Sequence, residues 1–221
     1  MLFNHGSGRA FDPQPAVLGP VFARQGYLFL FLFRRGSGLS TGQEVNSDDL
    51  LDRELADSGE DARNRLQLRL LETDQLGDAL AGLAFLRALP EADGRRIAVV
   101  GHSFGGSLTF LVAERDSSLR AIIDFAGAAK SWARSVPLRT RLLSAVGRIT
   151  APVFIIHAAN DYSIAPGKAL GAELARLGKP HTVKIYPPFG RTPADGHHFV
   201  ELGVRTWGHD VFAFLDRYMR R

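Results

Sequence analysis

The chain has 221 residues, 45% of them hydrophobic and 23% charged, with no cysteine and a formal net charge of +4. This balance describes one soluble globular domain with a substantial core and excludes a disordered tail or a coiled coil. Without cysteine there is no disulfide framework, thiolate nucleophile or Cys-type zinc site, and the basic residues are scattered among acids instead of forming the patch that nucleic acid requires.

Met1 to Gly6 lacks the basic start and apolar core of a secretory leader, and no apolar run approaches the roughly 18 residues of a membrane span. A cytoplasmic protein with no membrane or nucleic-acid partner is expected. A short apolar start, Met1-Leu2-Phe3, leads into His5-Gly6-Ser7-Gly8, and residues 15–24 have helical period. The run Tyr27 to Phe33 is of strand length and bounded by glycines, so it reads as a strand covered on both faces. Gly36-Ser37-Gly38-Leu39-Ser40-Thr41-Gly42 has glycine spacing faintly like a dinucleotide loop, but the polar stretch after it opens no apolar helix, and no cofactor is expected. Arg34 and Arg35 could bind a substrate carboxylate or form a structural ion pair.

Beyond the polar, acid-rich segment 43–61, helix period runs over 66–89, 105–114, 168–177 and 203–218. Strand-like runs stand at 97–100, 121–125, 153–156 and 182–186. Strands alternating with helices predict an α/β fold with a mostly parallel sheet of about six strands and helices on both faces. Segments 43–61 and 130–148 each follow the carboxyl end of a strand, where such a sheet places its ligand, and are candidate lids or pocket walls of the single domain 1–221.

Gly101-His102-Ser103-Phe104-Gly105 is a Gly-x-Ser-x-Gly elbow between an apolar strand and an apolar helix. A sharp, strained turn there lifts a serine hydroxyl out of the sheet. That hydroxyl needs a base and a group to orient the base, following in the order acid then histidine on later loops. Asp161 lies in the loop after 153–156, with Asp124 as the rival acid, and His197 and His198 precede the last helix. Side chains of adjacent histidines point apart, so only one of the two can reach Ser103. A developing oxyanion needs two backbone donors: Phe104 directly follows the nucleophile, and Ser7 in the glycine-flanked loop supplies the second, with Gly8 close behind. The other histidines, His5, His102, His157, His181 and His209, read as loop, strand-end or surface positions, and no spacing argues for a metal site.

These stretches, with Arg35-Gly36-Ser37-Gly38, Asn160-Asp161 before Ala165-Pro166, and Gly196-His197-His198-Phe199, make the sequence resemble the alpha/beta-hydrolase superfamily, in its dienelactone-hydrolase-like and prolyl-oligopeptidase-like branch. The resemblance implies an alpha/beta-hydrolase fold, with Ser103 as nucleophile, Asp161 as acid and His197 as base, the last because such histidines precede a small residue and a phenylalanine. It also implies Ser7 and Phe104 as oxyanion donors. Dienelactone hydrolases proper use a cysteine nucleophile, a departure here. The chain also starts at what would be the family's third strand, which makes Tyr27–Phe33 an exposed edge. Either a homodimer or an upstream stretch outside this chain is therefore expected.

The function expected is a serine hydrolase cleaving a small-molecule carboxylic ester or related acyl bond, needing no cofactor or metal. A small-peptide peptidase and a non-catalytic binding protein on the same fold are the alternatives.

Overall fold

The computed structural model describes residues 1–8, 14–42 and 44–219. In chain order the elements are β1 (Leu2–Asn4), α1 (Gln14–Ala23), β2 (Leu30–Leu32), α2 (Ser47–Glu72), α3 (Asp74–Ala88), β3 (Ala98–His102), α4 (Phe104–Arg115), β4 (Ala121–Phe125) and α5 (Val136–Arg148). Next come β5 (Val153–Ala158), α6 (Ala165–Arg176), β6 (His181–Tyr186), α7 (Pro193–His197), α8 (Phe199–Leu202) and α9 (Val204–Met219). The sheet has six strands in the order β2-β1-β3-β4-β5-β6, each pair parallel.

Strands β1, β3, β4 and β5 are buried along their whole length because helices cover both faces. Alternate residues feed two cores. Leu2, Val99, Ile122 and Ile155 pack on α3 to α6, while Phe3, Val100, Ile123 and Phe154 pack with Phe22 of α1 and Trp207 and Leu215 of α9.

The strand expected over Tyr27–Phe33 pairs only at Leu30–Leu32, is half-buried and lies at the sheet edge. Its one neighbour, β1, offers three residues to pair with, so the apolar run outlasts its partner. The segment 43–61, a candidate lid or pocket wall, is mostly helix. Gln43 lies outside the described residues, and from Ser47 the chain runs on as α2 to Glu72 across a kink at Gly59. The Asn46 side chain accepts from the Asp48 backbone N–H, and Asp48 and Asp49 in the first turn complement the helix dipole. In the segment 130–148, residues 136–148 form α5, started by the Ser135 hydroxyl accepting from Leu138 N–H.

Among the described residues no helix is long and apolar enough to cross a membrane.

Candidate active site

Ser103 stands alone between β3 and α4 with φ 56° and ψ −115°, a conformation that L side chains rarely adopt. The chain can turn this sharply because its flanks have no side chain. A Cβ on Gly101 would lie 2.2 Å from the Gly105 carbonyl oxygen, and one on Gly105 would lie 2.0 Å from that of Asn4. The Ser103 N–H is tied to the carbonyl of Phe125 at 2.8 Å, so the strained residue is anchored across the sheet.

Three residues that the sequence places on separate loops meet here. Ser103 Oγ lies 2.9 Å from His197 Nε2, and His197 Nδ1 lies 2.7 Å from Asp161 Oδ1. Asp161 also accepts from the Tyr162 N–H at 2.7 Å. Burial pushes the Asp161 carboxyl up, but hydrogen bonds from His157 and His197 outweigh it and hold the group at about 2. The carboxylate is therefore charged and can only accept, which puts the His197 proton on Nδ1 and leaves Nε2 free to take one from Ser103. Burial lowers the His197 imidazole below its ordinary value, against the hydrogen bond to Asp161 that raises it.

The loops are clipped in register. Asn160 donates to the carbonyls of Phe189 and Thr192 at 2.7 and 2.8 Å and accepts from the Phe189 N–H, joining the acid's loop to the histidine's. Thr192 and Asp195 close a reciprocal cap on α7, which ends at His197. On the other side His102 Nε2 donates to the His197 carbonyl at 2.9 Å, and Gln14 donates to His102 Nδ1 at 2.9 Å. Burial drives His102 down to about 3, so the ring is neutral and can serve as donor and acceptor at once.

Ser7, Ser103 and Phe104 together line a cavity of about 70 Å³, which Arg63, Lys130 and Arg134 border. Asp48 and Leu51 of α2 also face it, so both segments read as lids contribute to its wall. Gly6 lies beside the nucleophile: a Cβ there would lie 3.4 Å from that of Ser103. The loop of Gly6 and Ser7 is held by Arg34, buried, which donates to the His5 carbonyl at 2.9 Å and to Gln75 at 2.6 Å and covers the Phe104 ring. Beyond Ser7 a larger cavity of about 390 Å³ runs between Phe33, His198 and Leu202. A still larger one, about 420 Å³, lies at the amino end of the sheet between Tyr27 and Met219, far from any of these groups.

The rivals lie elsewhere. Asp124 is fully buried on β4, where burial raises its carboxyl to about 7, and His197 donates to Asp161 instead. His198 turns away from Ser103 and pairs with Glu201 at 2.6 Å. Arg35 makes a bidentate ion pair with Asp78 and a longer one with Asp74, the structural role rather than ligand recognition. The glycine-spaced segment 36–42 forms a single 3-10 turn over Gly38–Ser40 and opens no helix at that point. Among the described residues no group of three or more His, Asp or Glu is placed to hold a metal ion.

Two features escape a reading of the sequence. Ala126 and Ala128, just past β4, both have positive φ. Both are buried, and Ala128 lines the smaller cavity. His157, read above as a strand-end position, donates through Nδ1 to the second oxygen of Asp161 at 2.9 Å. The only sequence signal is a histidine at the carboxyl end of β5 followed four residues later by the acid.

No curated protein matches the chain significantly. Solved structures do. An acylaminoacyl peptidase from Pyrococcus horikoshii superposes with TM-score 0.67 at 20% identity, covering 100% of this chain and 37% of that one. An esterase from Pyrococcus furiosus gives 0.69 at 18% identity, covering 99% and 82%. Est1E from Butyrivibrio proteoclasticus, solved with ferulic acid bound, gives 0.66 at 18% identity, covering 100% and 89%. This chain thus spans little more than a third of the peptidase it resembles, and at such identities the likeness is one of fold, the alpha/beta-hydrolase fold. The model of the dienelactone hydrolase family matches residues 21–200, which take in β3 to β6 and the three hydrogen-bonded residues, and the chain belongs to that family.

Proposed function

We propose that the chain is a serine hydrolase that cleaves a carboxylic ester or related acyl bond of a small molecule through an acyl-enzyme. The observation that carries this reading is the continuous line of hydrogen bonds from Ser103 through His197 to Asp161, at 2.9 and 2.7 Å. His197 Nε2 takes the proton as Ser103 Oγ bonds to the carbonyl carbon, and Asp161 keeps the imidazole in the tautomer that can do so. The carbonyl oxygen becomes an oxyanion facing the backbone N–H groups of Phe104 and Ser7. As the tetrahedral intermediate collapses, the bond to the leaving oxygen breaks and His197 returns the proton to it. Water, deprotonated by the same nitrogen, then adds to the acyl carbon and frees Ser103.

The walls contributed by the segments 43–61 and 130–148 bound the small cavity on the nucleophile's side. In this reading they set acyl size within one domain. A small-peptide peptidase would use the same three residues, and a panel of aryl esters against aminoacyl amides separates the two. The decisive experiment is Ser103→Ala. It should abolish hydrolysis of a short-chain aryl ester and labelling by a fluorophosphonate, and retained labelling overturns the assignment.

A further inference from the structure

Asp161 is held from both sides. His197 donates to Oδ1 at 2.7 Å and His157 to Oδ2 at 2.9 Å, and the side chains of Asp161 and His157 are completely buried. A carboxylate bonded on one oxygen can still rotate about its Cβ–Cγ bond. Bonded on both oxygens, by groups anchored on different elements, it has one orientation, the one aimed at His197.

The sheet itself fixes His157. It is the next-to-last residue of β5, on the face shared by Val153 and Ile155, and Asp124 of β4 stands opposite Ile155 on that same face. Helix α6 closes over the ring, since a Cβ added to Gly167 would lie 2.8 Å from His157 Cδ2 and 2.9 Å from Nε2. The imidazole therefore has no room to swing away. Its Nε2 meets no hydrogen-bond partner, so the ring is committed to one polar contact, Asp161. Burial of an imidazole for a single bond is costly unless that bond does something the fold requires.

We propose that His157 is a positioning residue for the acyl transfer described above, holding the Asp161 carboxylate in the orientation from which it orders His197. The inference rests on that reading for its kinetic consequence, but not for the contact itself. The bonds from His157 and His197 together keep the buried Asp161 carboxyl low, against the burial that would raise it.

The test has two arms. In the first, a ring nitrogen–proton correlation spectrum of the wild-type chain without substrate should find the His157 proton on Nδ1. A ring protonated only on Nε2 overturns the proposal. In the second, His157→Leu should lower kcat for an aryl ester about tenfold to a hundredfold, the effect of losing a hydrogen bond to a charged group, with KM nearly unchanged. His157→Asn, whose amide nitrogen occupies the place of Nδ1, should recover most of the rate. A folded His157→Leu variant with wild-type kcat overturns the proposal, as does a folded His157→Asn no faster than His157→Leu. If His157→Leu does not fold, the spectrum and the His157→Asn rate decide: a folded Asn variant slowed as far as the Leu variant was expected to be overturns it. Failure of the serine hydrolase reading would show separately, as ester hydrolysis that survives Ser103→Ala.

Discussion

The ring of His102 donates through Nε2 to the backbone carbonyl of His197 at 2.9 Å, so the residue just before Ser103 holds the loop of the residue that faces Ser103. The bond lies wholly inside the protein and is completed by the Gln14 amide on Nδ1. Replacing His102 with leucine takes this donor from the buried His197 carbonyl, at about 1 to 3 kcal/mol, and leaves the Gln14 amide with its bond to Glu201 at 3.2 Å. For a chain of this size that lowers Tm by roughly 2 to 12 °C. We expect His102→Leu to lower kcat/KM about tenfold as the His197 loop loosens, a cost on the scale of one hydrogen bond. His102→Gln, which places an amide nitrogen near the position of Nε2, should recover most of both. Thermal scans and ester kinetics on the two variants check this.

One substitution, glycine to alanine, should act with opposite sign at two sites. At Gly105 the new methyl would lie 2.0 Å from the Asn4 carbonyl oxygen and 2.3 Å from that of His5, both backbone. Neither can yield without moving β1 and the loop that carries Ser7. A loss of about 3 kcal/mol is expected, the upper range of overpacking, together with loss of fluorophosphonate labelling. Gly147, exposed on α5, has nothing within 4 Å of the added carbon. There alanine should gain about 0.5 to 1 kcal/mol from helix propensity. Denaturant midpoints for the two variants measure both effects.

The parts of the site that lie close in the chain were the legible ones. The elbow at Ser103 is written in consecutive residues because its glycines answer contacts made within one turn. Asp161 and His197 could be reached by order along the chain, since each follows a strand. Helix α2 ahead of residue 66 could not, because polar residues, Asn64 and Gln67 among them, hold buried positions in the helix. Asn64 donates to the Arg134 carbonyl at 3.0 Å and Gln67 to the Ser131 hydroxyl at 3.0 Å, which breaks the apolar period that marks a helix. The Tyr27–Phe33 run was read too long because an apolar stretch does not announce how much strand stands beside it. His157 was missed for a related reason. Its partner is set by the path of a loop, which no periodicity encodes.

The direction of the His197 shift fixes a pH profile. The imidazole must be neutral to accept the Ser103 proton, and burial holds it below its ordinary 6.5. Activity should therefore rise with pH along a limb whose midpoint lies below 6.5, and be level by pH 8. Asp161 raises the same group, so Asp161→Asn should move the limb to lower pH and also cut the plateau about ten-thousandfold through the wrong tautomer. Plots of kcat/KM against pH for both proteins test the two effects together. A wild-type midpoint above 6.5 would show that burial is not the dominant influence.

Asp124 offers a stability test that also separates it from the acid of the site. Fully buried and packed against the backbone of Gly106 and Gly127, its carboxyl is raised from 3.8 to about 7. Between these two values the folded chain keeps a proton that the unfolded chain releases. The stabilisation this brings is complete below pH 3.8 and is lost as pH rises toward 7. The loss could reach about 4 kcal/mol over that span. Asp124→Asn carries no such titration and nearly the same shape. Its Tm relative to the wild-type chain should therefore climb steadily from pH 4 to pH 8, while kcat stays near that of the wild type because His197 donates to Asp161 and not to Asp124. A Tm difference independent of pH would show that Asp124 ionises in the folded chain as freely as in water, and a ten-thousandfold fall in kcat would transfer the acid's role to Asp124.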